Sequence, residues 1–235
     1  MAISVFISGL ISYSDGVPNT NSIQLMNFRV LVAALLGGMA IFFWGFVAHM
    51  LLPLGEAGMR PLPYEAKLLP AISATLNEPG LYIFPWPESA PGTPMPVNQK
   101  TQAAVADLYK NSPHGLLLFH PPAGAMLTTG QLLAEFATNC AAALIAAVLV
   151  NLVVSSLRSF GGRFLFVTTL GLIAGIAVNV PYWNWYEFPT AFTLAEILEH
   201  VVGFAVAGLV IAALVKPTQV YTVNPRESAP PLVER

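Results

Sequence analysis

Charge is what this sequence has least of. Only 9% of its 235 residues are Asp, Glu, Lys or Arg, against roughly 25% in an average soluble domain. So little charge cannot solvate the surface of a globular chain this long, which points to a lipid-facing exterior instead. The net charge is −2 and no Lys/Arg run is present, so nucleic-acid binding has no electrostatic basis. Cys140 is the single cysteine, which excludes an intrachain disulfide. Its place in an apolar run makes it a small packing residue, because a reactive thiolate is costly in lipid. Catalytic signatures are missing as well. There is no P-loop, no G-x-S-x-G, no H-E-x-x-H and no C-x-x-C, and no catalytic residue is assigned.

What the chain has instead is apolar length. Four stretches reach the ~20 residues that a helix needs to cross a bilayer: residues 29–52, 130–157, 163–180 and 193–216. Pro53 and Gly55 stop the first, and Lys216-Pro217 stops the fourth. Pro181 is expected to end the third, since proline cannot donate to the helix ladder. Thr193 followed by Glu196 has the spacing of a capping box, which would start the fourth helix and give Glu196 a local role.

Lys and Arg in the short connections set orientation. Arg29, Arg158, Arg163 and Lys216 all fall on one side, and the connection PYWNWYEFPTAFT has none. The expected fold is an all-α membrane protein: an antiparallel four-helix transmembrane bundle in a plasma or bacterial inner membrane. Both termini are expected in the cytoplasm. Tyr182, Trp183, Trp185 and Tyr186 suit an interfacial belt on the outer side.

Residues 1–28 read as a flexible N-terminal extension. They lack the basic n-region and small-residue cleavage site of a signal peptide, and Met26 offers an alternative start. Residues 217–235 read as a disordered cytoplasmic tail. Residues 53–129 read as a small α/β-like, proline-rich extracytoplasmic cap. Within it, Leu81–Phe84 and Leu116–Phe119 are short apolar runs bounded by Pro and Gly, as strands are. The segment NQKTQAAVADLYKN between them has a helical pattern. His114 and His120 flank the second strand, but no Cys or carboxylate joins them at ligand spacing.

Each long helix carries a stripe of small residues that turns polar toward its outer end. The stripes are Gly38, Phe42, Gly45 and His49; Gln131, Glu135, Asn139, Ala142 and Ala146; Thr168, Gly171, Gly175 and Asn179; and Glu196, His200, Gly203 and Ala207. Ionisable groups at membrane depth are costly and point to function. The candidate polar or ligand site is therefore His49, Glu135, Asn139, Asn179, Glu196, Glu199 and His200. His200 is expected to pair with Glu135, and His49 with Glu199 or Glu196. His49, Glu135 and His200 are the candidate metal ligands, although no Glu-x-x-His motif is present.

The functional expectation is a non-enzymatic accessory or scaffolding component of unknown biochemical activity. It would contact the lipid bilayer and meet a membrane-protein partner through the apolar runs of the cap. The alternative is a small metal-, haem- or quinone-binding membrane protein using the polar site; no cofactor is identified by any motif.

Overall fold

The computed structural model describes residues 27–86, 99–122 and 124–217. Most of the expected extension, the tail beyond Pro217 and the proline-rich segment 87–98 lie outside the described residues.

Four helices are long and apolar enough to cross a membrane. They are α1 (Phe28–Phe46), α4 (Thr129–Val153), α5 (Phe160–Tyr186) and α6 (Thr190–Leu214). Between α1 and α4 lie a short helix α2 (Glu65–Thr75), strand β1 (Gly80–Phe84), helix α3 (Gln99–Asn111) and strand β2 (Gly115–Phe119). The two strands form an antiparallel hairpin with Gly80 opposite Phe119 and Phe84 opposite Gly115.

Several boundaries differ from the sequence reading, among them the start of the third helix, at Phe160 rather than 163. The third helix does not stop at 180 but continues through Pro181 to Tyr186. Proline removes only one donor, and long membrane helices tolerate that loss. At ~1.5 Å per residue, its 27 residues exceed the ~30 Å hydrocarbon core, so the Tyr182–Tyr186 aromatics ride on a helical turn rather than in a loop. The fourth helix starts at Thr190, not 193, with Pro189 as its N-cap residue. The Thr193–Glu196 capping box is consequently not formed, and Thr193 Oγ1 donates instead to the Pro189 carbonyl at 3.3 Å. A capping box does exist at the start of α4, between Thr128 and Gln131. The second helix ends at Val153 rather than 157.

The interior is built from small residues. Ala33, Ala143, Ala147, Ala207 and Ala212 are fully buried beside Val30, Val150, Val167 and Ile211. The large residues point outward: Leu31, Leu35, Met39, Phe43 and Phe46 form one exposed stripe along α1. A soluble protein would bury such side chains. Small residues within and large ones without suit helices that associate by close backbone approach in lipid.

The long helices neighbour one another in the order α4, α1, α6, α5. A Cβ on Gly38 would lie 2.6 Å from the Cys140 Cα, so α1 and α4 approach there to a distance that only glycine permits. Cys140 is thus a packing residue against Gly38, as expected. On the other side of α6, a Cβ on Gly171 would lie 2.6 Å from the His200 carbonyl oxygen. The buried seam of α5 runs Arg163, Val167, Gly171, Gly175 and Asn179 in steps of four. It keeps Gly171, Gly175 and Asn179 of the expected stripe, has Val167 in place of Thr168, and continues one turn further to an arginine.

Candidate functional site at the His49 end of the long helices

α1 does not end as a regular α-helix. It runs on into a π-helical turn, Val47–Leu51, a wider turn that proteins use at functional sites. The widening carries His49 toward α6, where its Nε2 lies 3.1 Å from Glu199 Oε1. One turn earlier, the Trp44 indole N–H donates to the Glu199 main-chain carbonyl at 3.1 Å. Two side chains of α1 therefore grip one residue of α6. Gly55 lies directly over the His49 ring, where no side chain would fit. The pair is half open to solvent, with His49 47% and Glu199 20% exposed.

The other candidate residues are placed on different faces. His200 Nδ1 donates to the Glu196 carbonyl of its own helix at 2.8 Å, since a carbonyl can only accept. Glu135 accepts from Asn139 Nδ2 at 3.0 Å on an exposed face of α4. Asn179 is buried and donates to the Gly175 carbonyl at 3.0 Å. The expected His200–Glu135 pair is not formed. His49 does meet Glu199, but His49, Glu135 and His200 do not meet as one ligand set. Among the described residues, no group of three or more His, Cys, Asp or Glu has the geometry to hold a metal.

The reason is angular. Successive residues on a helix are ~100° apart, so counting along a stripe by threes and fours can drift by one position. On α6 the face toward α1 holds Glu199, Gly203 and Ala207, and the face toward α5 holds Ile197, His200 and Phe204. The expected stripe Glu196, His200, Gly203 and Ala207 crosses from one face to the other. On α4 the residues against α1 are Phe136, Cys140 and Ala143, one position on from Glu135, Asn139 and Ala142. That shift leaves Glu135 outside the contact. Gly45 on α1 meets nothing within 4 Å.

A second polar contact ties the hairpin to the end of α5. His114 Nε2 lies 3.2 Å from Glu187 Oε2, and the His114 ring stacks on Tyr109 with centroids 4.9 Å apart. Ile83, Leu116, Trp185 and Tyr186 close a small cavity around this pair. Glu187 is the residue after α5 and has left-handed backbone geometry, φ 56°, which is uncommon for a non-glycine residue. His114 and His120 are six residues apart on an extended strand, about 20 Å at ~3.3 Å per residue, too far to share a metal.

Trp44 and the π-turn are features of the candidate site that sequence reasoning missed. Trp44 stands five residues before His49, a spacing that matches neither 3.6-residue face. Chemically, the His49–Glu199 pair can hold or pass a proton, and with Trp44 it locks the ends of α1 and α6 together. No protein-family model matches the chain, and no curated protein and no solved structure matches it either.

Proposed function

We propose that this chain is an antiparallel four-helix transmembrane bundle with both termini cytoplasmic, and that it works as a non-enzymatic accessory or scaffolding component of a membrane assembly. Arg29, Arg158, Arg163 and Lys216 lie at the helix ends opposite the hairpin, which supports that orientation under the positive-inside rule. The observation that carries the docking role is the apolar surface of the hairpin. Leu81 and Leu118 stand directly opposite each other in the strand register, share one face, and are 66% and 67% exposed. Trp86 continues the exposed surface just beyond β1. Apolar surface on a hairpin beyond the long helices suits a protein partner.

The test is purification of the full chain from its native membrane after cross-linking in cells. A stoichiometric membrane subunit should co-purify with the wild type and be lost from the Leu81→Ser/Leu118→Ser variant. Absence of any such subunit from the wild type refutes the reading.

A second reading, a small cofactor-binding membrane protein, draws support from the π-turn that brings His49 onto Glu199. An absorption spectrum and elemental analysis of the purified protein decide it: stoichiometric haem, quinone or transition metal would favour this reading over the first.

A further inference from the structure

At the end of the long helices opposite His49, a cavity of about 400 Å³ opens between the start of α1 and the ends of α4 and α6. That volume falls within the roughly 300–1,000 Å³ of small-ligand sites. Its polar wall comprises Asn27, Arg29, Asn151 and Lys216, and Phe28 and Val215 contribute its apolar side. Two cations line it and no carboxylate does. The asymmetry extends across the molecule: every carboxylate among the described residues lies in the half that holds His49 and the hairpin. Among the described residues, Arg29 and Lys216 therefore line this cavity with no carboxylate beside them. Phe28 and Arg29 are also the first residues of α1, whose N–H groups have no intrahelical acceptor.

We propose that this cavity binds a phosphate group. Phosphate matches the forked donors of Arg29 and the point charge of Lys216, and the start of α1 favours an anion through its oriented N–H groups. The exposed Phe28 ring beside these cations places the cavity where an acyl chain would meet a headgroup, so the favoured source is the phosphate of an anionic phospholipid. Free inorganic phosphate is the other source of the same chemistry. This site is independent of which partner the hairpin takes.

The experiment compares thermal unfolding of the full chain in nanodiscs of phosphatidylglycerol and of phosphatidylcholine, the latter with and without inorganic phosphate. Three proteins are used: wild type, Arg29→Gln/Lys216→Gln, and Arg158→Gln, in which the lost side chain is exposed at the same end but outside the cavity. The wild type should melt higher in phosphatidylglycerol, and the double variant should lose that increment while Arg158→Gln keeps it. An increment from inorganic phosphate that is lost in the double variant assigns the same cavity to the free ion. Equal increments in all three proteins mean surface charge alone and overturn the site, as does no increment in the wild type. Should the double variant fail to fold, Lys216→Gln, beyond the last turn of α6, should lose much of the increment on its own. Native mass spectrometry supplies an independent reading, with one retained phosphatidylglycerol expected for the wild type and none for the double variant.

Discussion

The Arg163 guanidinium donates twice to the Ala212 carbonyl, from Nε at 3.2 Å and from Nη2 at 3.0 Å. Its Nη1 donates to the carbonyls of Leu157 and Arg158 at 3.0 and 2.7 Å. Arg163 is 3% exposed, and none of these partners is a carboxylate. The end of α6 and the turn after α4 supply carbonyls that would otherwise lack partners, and the negative ends of those helices offset the charge. One side chain at the start of α5 thus closes two helix ends.

Arg163→Met should destabilise the protein by about 2 to 4 kcal/mol, because orphaned buried acceptors cost about 1–3 kcal/mol each. Arg163→Lys should recover only part, since an ammonium cannot reproduce the fork. Thermal unfolding in detergent measures both; a Met variant as stable as the wild type would disprove the double-capping role.

The glycines of the helix contacts should differ sharply in tolerance. Gly171→Ala places a methyl group against the His200 carbonyl and Phe204 Cβ, both 2.6 Å from the new atom. Overpacking of this kind costs about 1–3 kcal/mol. Gly45→Ala meets open space and should be neutral or slightly stabilising, as alanine is the better helix former. Equal effects of the two changes would argue against the α5–α6 contact as drawn.

His49 and Glu199 should be coupled. The cycle His49→Leu, Glu199→Gln and the double variant should show a coupling of about 0.5 to 1 kcal/mol, limited by the solvent that reaches the pair. His200→Leu with Glu135→Gln should be additive, because these residues lie on different helix faces. Gly55→Ala should mimic His49→Leu by pushing the ring away from Glu199. Additivity in the first cycle, measured by unfolding in one detergent, would dissolve the α1–α6 clasp.

Orientation has its own test. In intact cells, a membrane-impermeant thiol reagent should label Glu78→Cys in the cap and leave Ser156→Cys, in the turn between α4 and α5, unlabelled until the membrane is opened. Both variants are built on Cys140→Ala to remove the native thiol. Labelling of Ser156→Cys from outside reverses the proposed topology.

Much of the fold is legible residue by residue. The four apolar stretches became four long helices, the runs at Leu81 and Leu116 became paired strands, and the pattern around Val105 became α3. The seam through Gly171, Gly175 and Asn179 was readable because these residues repeat at a step of four; two more such steps back pass through Val167, where the reading had Thr168, and reach Arg163. The stripes of α4 and α6 were less legible. Alanine fills adjacent positions such as Ala142 and Ala143, so sequence spacing alone could not tell which of two neighbouring faces would be buried.

Local chemistry therefore decided what could be read from the chain: apolar length, the shortage of charge and the placement of Arg29, Arg158, Arg163 and Lys216 depend on composition and order alone. Which polar groups meet depended on the rotation of each helix about its axis, and that rotation is set by contacts between distant residues. Gly38 against Cys140 and Gly171 against the His200 carbonyl fix those rotations, because only at these angles can the backbones approach so closely. They turn Glu199 toward His49 and His200 toward α5, and they leave Glu135 on the exposed side of α4. The π-turn at Val47–Leu51 is also a tertiary outcome: its extra residue per turn carries His49 toward α6, where it meets Glu199.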